Sequence, residues 1–262
     1  MAPLLKRAQP HFGWGGDLRL RGHVQLRSAP SFSADVVLER ASGDLSVTDD
    51  AGTRTLGLSD LRLGLVAQDG SWRFSAGLAG QTLGRAAAGL TAQASPHSVW
   101  PGADAPLSGV LELQIDDLGV WGPWLPPGWR LNGAMHASAS LGGRAGAPLI
   151  EGRLDGSSIS VRNLLQGVDV RDGTVAIALL GETAHIETFT ARAGDGSLKL
   201  QGDAHLGAAP RAELKLTLEQ FRLLGRVDRR IVTSGDATLR LGADTLALSG
   251  ALRVDEGLID FS

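Results

Sequence analysis

No cysteine occurs in the 262 residues, so disulfides, Cys-ligated zinc and a thiol nucleophile are all excluded. Tyrosine is absent too, and there are only six Phe. A membrane-spanning barrel wants aromatic girdles at both interfaces, which this composition does not supply. Neither sign of charge dominates: 25 Lys and Arg stand against 28 Asp and Glu, so there is no electrostatic case for a nucleic-acid partner. Long apolar runs are missing. Val175-Ala-Ile-Ala-Leu-Leu falls far short of the roughly 20 residues of a membrane helix. The start, Met1-Ala-Pro-Leu-Leu-Lys-Arg, lacks the apolar core of a signal peptide.

Catalytic signatures are missing as well. The histidines His11, His23, His97, His136, His185 and His205 form no pair at metal-ligand spacing, and they read as surface or strand-edge residues. There is no Gly-x-Ser-x-Gly elbow and no phosphate loop. The Asp-Gly pairs lack the alternating oxygen ligands of a calcium loop. No enzyme activity, cofactor or metal is expected.

What the chain does have is glycine, 36 residues of it, placed singly between apolar runs. A glycine-led phrase recurs in Leu107-Ser-Gly-Val-Leu-Glu-Leu, Leu131-Asn-Gly-Ala-Met, Asp172-Gly-Thr-Val-Ala-Ile, Ser234-Gly-Asp-Ala-Thr-Leu and Leu248-Ser-Gly-Ala-Leu-Arg-Val. Each joins a turn glycine to residues that alternate apolar and polar, with a period near one hairpin. Asp69-Gly70, Asp172-Gly173 and Asp195-Gly196 read as hairpin dipeptides. Side chains alternate along a strand with period two. Val175, Ile177 and Leu179 therefore share a face, as do Leu198 and Leu200, then Leu214, Leu216 and Leu218, then Leu239 and Leu241. Leu246, Leu248, Leu252 and Val254 line one face of a long strand. The opposite faces carry Lys199, Glu213, Lys215, Arg240, Ser249 and Arg253. The pattern predicts an antiparallel sheet with one wet and one dry face.

Two stretches interrupt it. In Ile115 to Trp129, Asp116 or Asp117 can cap a short helix that Pro126-Pro127-Gly128 ends. Glu219 to Arg230 reads as a second helix or an irregular turn, and its Arg226-Val-Asp-Arg-Arg cluster as a solvated turn with a local Asp228–arginine pair, or as a lipid-headgroup or partner contact. Trp121, Trp124 and Trp129 either pack on the sheet or form an interface. The expected fold is all-β: one elongated repeat unit over 1–262, with a soft joint near residue 130. Its mainly antiparallel sheet curls into an open trough with an apolar concave face, accompanied by one or two short helices. The strand pattern runs on to Phe261, as in a piece of something longer.

The run Leu118-Gly-Val-Trp-Gly-Pro-Trp-Leu-Pro-Pro-Gly-Trp-Arg-Leu-Asn-Gly and the run Leu141-Gly-Gly-Arg-Ala-Gly-Ala-Pro-Leu-Ile-Glu-Gly-Arg-Leu-Asp-Gly resemble the TamB family of translocation and assembly module proteins. Gln166-Gly-Val-Asp-Val-Arg-Asp-Gly, Phe189-Thr-Ala-Arg-Ala-Gly-Asp-Gly and the stretch from Leu248 to Phe261 continue the likeness, which is best over about 105–262. The resemblance implies a periplasmic protein anchored to the inner membrane of a Gram-negative bacterium, here a fragment without its anchor. It also implies a β-taco fold, phospholipid movement towards the outer membrane, and support of outer-membrane protein assembly with the barrel partner TamA. No catalytic residues are carried over.

Three readings follow for the fourteen aliphatic residues from Val175 to Val254. They line a groove for phospholipid acyl chains, or belong to a scaffold that holds outer-membrane β-strands by edge augmentation, or fill a closed structural core.

Overall fold

The computed structural model describes residues 13–260, apart from Pro30, Asp50, Ala51, Pro96, His97, Pro127, Leu206, Ala208, Ala243 and Asp244. His11, His97, Pro127 and Phe261 thus lie outside the described residues. The structure is all-β. Its strands are β1 (Trp14–Gly16), β2 (Arg19–Arg27), β3 (Ser33–Ser42), β4 (Leu45–Asp49), β5 (Gly52–Thr55), β6 (Leu58–Gln68), β7 (Ser71–Gly80), β8 (Gly84–Gln93) and β9 (Leu107–Ile115). After a 3-10 helix, Leu118–Trp124, come β10 (Arg130–Arg144), β11 (Ala147–Asn163), β12 (Val168–Gly181), β13 (Thr183–Ala193), β14 (Gly196–His205), β15 (Arg211–Gly225), β16 (Arg229–Leu241) and β17 (Leu246–Ile259). From β6 to β17, order in the sheet is order in the chain, and β3 and β2 follow β6 to complete a fourteen-stranded antiparallel sheet that does not close. The strands β1, β4 and β5 form a separate small sheet.

Contacts divide the chain into two compact units, one of residues 1–124 with 137–151, the other of residues 125–136 with 152–262. In the first, the small sheet and the 3-10 helix cover one end of the large sheet. Leu18, Val47, Leu56, Leu58 and Leu83 are buried there against Val120 and Trp121. The Asp44 carboxylate fixes the crossover by accepting the N–H groups of Leu45 at 2.8 Å and of Gly57 and Leu58 at 2.9 Å. At another point of this unit Trp72 stacks on Phe32 and Trp100, with centroids 5.7 and 4.4 Å away. Asp117 is the cap of the 3-10 helix, its carboxylate accepting the Gly119 N–H at 2.8 Å.

In the second unit the sheet rolls up. Strands β12 and β15 are three apart, so in a flat sheet they would lie about 14 Å apart. Instead the Gly225 N–H donates to the Gly167 carbonyl at 2.8 Å, and the Arg226 guanidinium donates to the Leu165 carbonyl. The β11–β12 turn is thereby clasped to the β15–β16 turn. Inside the roll, Ala193, Leu218 and Phe221 are buried together with Val170, Leu198 and Leu216 packed on them. The apolar face is therefore the inner face of the curl, because only that arrangement removes these side chains from water.

Three expectations are corrected. Glu219 to Arg230 forms no helix: β15 runs through to Gly225, with a bulge where the register shifts between Leu218 and Phe221. Gln220 takes a φ of 45° there and its N–H donates to Ser234 Oγ at 2.8 Å. A bulge uses the same left-handed residue that a turn uses, so sequence alone does not separate them. For the same reason Asp172-Gly173 is a bulge within β12, not a hairpin, with Asp172 at a φ of 54°. The third hairpin is displaced by one residue. Ala193 pairs directly with Gly196, leaving Gly194-Asp195 as the loop. Asp69-Gly70 is a hairpin turn, at φ 49° and 76°.

Candidate functional site: one apolar face of the sheet

Directly opposed residues of antiparallel strands point to the same face, so the register decides which side chains meet. In the second unit the register gives unbroken rows. Val175 faces Phe189, then Leu200, Leu216, Ala237 and Gly250. Leu198 faces Leu218, then Gly235 and Leu252. Leu214 faces Leu239 and then Leu248, and Leu241 faces Leu246. Ile177 and Leu179 face Ile186 and Ala184, and Val254 faces Thr233. All fourteen residues thus lie in register on one sheet face.

Their burial is not uniform. Val175, Leu214 and Leu218 are buried, and Ile177, Leu179, Leu198, Leu200, Leu216 and Leu239 are half-buried. Leu241, Leu246, Leu248, Leu252 and Val254 are exposed, Leu248 at 58%. The face is packed most closely between β12 and β15 and lies open along β17 and at Leu241 of β16. An exposed apolar row of this kind is what a soluble surface ordinarily avoids.

The first unit carries a matching face that sequence reasoning overlooked. Val24 faces Val36, Leu65, Phe74 and Leu90, while Leu38 faces Leu63, Ala76, Ala88 and Leu111. Val24, Leu63, Phe74 and Leu111 are exposed. The signal was the alternation Leu61, Leu63, Leu65 with Trp72, Phe74, Ala76. Small residues at many of these positions lower the contrast between faces and hide it.

The tryptophans are divided between the two units. Trp121 packs on the core of the first unit, and Trp129, half-buried, belongs to the second. Trp124 ends the 3-10 helix, and its side chain lies outside the described residues.

The opposite face of β13 to β16 is polar. Asp203 faces His185 and Glu213, with its carboxylate 2.6 Å from His185 Nδ1. Glu213 in turn faces Arg240, which donates to it at 3.1 and 3.2 Å. That hydrogen bond, then the guanidinium charge, holds the Glu213 carboxyl below its ordinary value of 4.5. A depressed carboxyl adds stability above its unfolded value and loses it as pH falls through the folded one. In Arg240→Ala, the Glu213 midpoint read by NMR titration rises towards 4.5, and an unchanged midpoint would show the pair is not formed in solution. Among the described residues no group of three or more His, Asp or Glu side chains could hold a metal ion. No helix of the described residues is long and apolar enough to cross a membrane.

Residues 187–262, spanning the second half of β13 and all of β14 to β17, match the family model of the TamB C-terminal domain. Over that stretch the chain is similar to TamB proteins. TamB proteins are envelope proteins of Gram-negative bacteria and components of the translocation and assembly module. Neither a curated protein nor a solved structure matches the chain significantly. The TamB match covers the strands on which the apolar face is open.

Proposed function

We propose that this chain is a segment of a periplasmic bridge whose apolar sheet face carries phospholipid acyl chains between the inner and outer membranes. In this reading the whole protein is anchored to the inner membrane and works with a TamA-like barrel partner. The observation that carries the reading is the row Leu246, Leu248, Leu252 and Val254. It continues the register of a buried apolar face and yet is itself exposed. Acyl chains would cover it, each buried CH₂ contributing about 0.8 kcal/mol. The attraction is non-directional, so a chain slides along a uniform aliphatic wall at little net cost. The polar face meanwhile keeps the sheet hydrated.

The test is mass spectrometry of gently purified protein. Phospholipid co-purifies with the wild type, and Leu248→Arg loses at least tenfold of it with an almost unchanged unfolding midpoint. A lipid-free wild type would sink the reading. A second reading rests on β17, 14 residues long, which among the described residues is an edge of the sheet. Such an edge can take an outer-membrane β-strand by augmentation. Crosslinks from β17 to nascent barrel chains, in protein that holds no lipid, would favour it.

A further inference from the structure

We infer that the rim where the β11–β12 and β15–β16 turns meet is a docking tip for a phospholipid bilayer surface. This does not rest on the acyl-chain reading of the sheet face. Leu164 and Leu165 on one turn are 73% and 72% exposed, and Val227 on the other is 97% exposed. The end of β17 joins them: Arg230 pairs with Leu258 and Arg229 with Ile259, both exposed. The Asp260 N–H ties that end to the Asp228 carbonyl at 2.8 Å. Leu164, Leu165 and Val227 thus protrude from two clasped turns, and Leu258 and Ile259, on opposite faces of β17, end the strand beside them.

The occupant follows from three properties. First, the patch is small. Five side chains fall well short of the roughly 20–30 residues a side of a stable protein interface, while protruding aliphatic tips suit shallow insertion among lipid headgroups. Second, several backbone groups of the tip are bonded within it, which lowers the cost of entering a water-poor layer. The Gln166 N–H is taken by the buried Asn163 Oδ1 at 3.0 Å, the Arg226 N–H by the Arg229 carbonyl at 2.7 Å, and the Leu165 carbonyl by the Arg226 guanidinium. Third, Arg226 and Arg229 both pair with the Asp228 carboxylate, at 2.7 and 3.2 Å. This leaves guanidinium capacity beside the apolar tip for lipid phosphates. Arg230 is matched separately, by Glu256 at 2.8 Å.

The absence of cysteine makes the test direct. Val227→Cys carries a single environment-sensitive fluorophore, and Thr245→Cys, on the β16–β17 turn at the opposite strand ends, carries the control. With vesicles of phosphatidylethanolamine and phosphatidylglycerol, the label at 227 shifts to the blue and the label at 245 does not. The triple variant Leu164→Asp, Leu165→Asp, Val227→Asp loses at least tenfold in vesicle co-sedimentation, with its unfolding midpoint as the control for folding. A silent label at 227, equal shifts at both positions, or undiminished binding of the triple variant would overturn the proposal.

Discussion

Gly235→Ala is expected to lower stability by about 3 kcal/mol and the unfolding midpoint by on the order of 10 °C. Gly235 lies mid-strand in β16 at a φ of 134°, and a Cβ built there would sit 2.2 Å from the Ala251 carbonyl oxygen. That oxygen belongs to the backbone of β17, so relief requires separating the two strands rather than turning a side chain. The same contact recurs on the next pair of strands. At Gly202, with a φ of 145°, the built Cβ lies 2.1 Å from the Glu213 carbonyl oxygen. Gly89→Ala is the control, since nothing lies within 4 Å of its Cβ and its φ is ordinary. There the change is neutral or stabilising by about 0.5 kcal/mol, through the unfolded chain. Urea unfolding of the two variants decides the matter, and equal midpoints would remove the steric argument.

These positions show where sequence reading stops. Glycine recurrence correctly indicated strands, and Gly250 inside a long one, but it placed most of the phrase's glycines in turns, whereas Gly133 and Gly235 lie inside β10 and β16. A glycine between alternating aliphatics tells only that a side chain is unwelcome. Whether it is excluded by a turn or by a neighbouring backbone depends on the partner strand, which no local pattern contains. The aliphatic face was legible because period-two alternation survives from Val175 to Val254, and the register then kept all of it on one side. The clasp between Gly167 and Gly225 was not legible: it joins turns far apart in sequence through main-chain atoms. Hence the division of the face into packed and open parts was invisible too. Leu218 and Leu248 look alike in sequence, and only the curl separates them.

Leu218→Arg is the second large effect, a loss of about 4 kcal/mol that leaves the second unit unfolded or readily proteolysed. Leu218 is 4% exposed within the roll, against Phe221 and Ala193. No carboxylate belongs to that cluster of buried residues, so a guanidinium there loses its water without gaining a partner. The identical substitution at Leu248, on the same face, leaves its charge in water. Circular dichroism and limited proteolysis of the two proteins, side by side, measure the difference between a wall that holds the fold and a wall that is free. If both variants fold equally well, the roll is looser than the Gly167–Gly225 contact implies.

The strand order carries one more consequence. From β6 to β17 each strand pairs with its immediate neighbours in the chain. Apart from the clasp between β12 and β15, stability is then close to a sum of neighbour terms, as in repeat proteins. Such an architecture can be lengthened or shortened by whole hairpins, each adding about 9.6 Å to the sheet, without redesigning what lies on either side. The length of such a sheet can therefore be set by gene duplication or deletion of single hairpins.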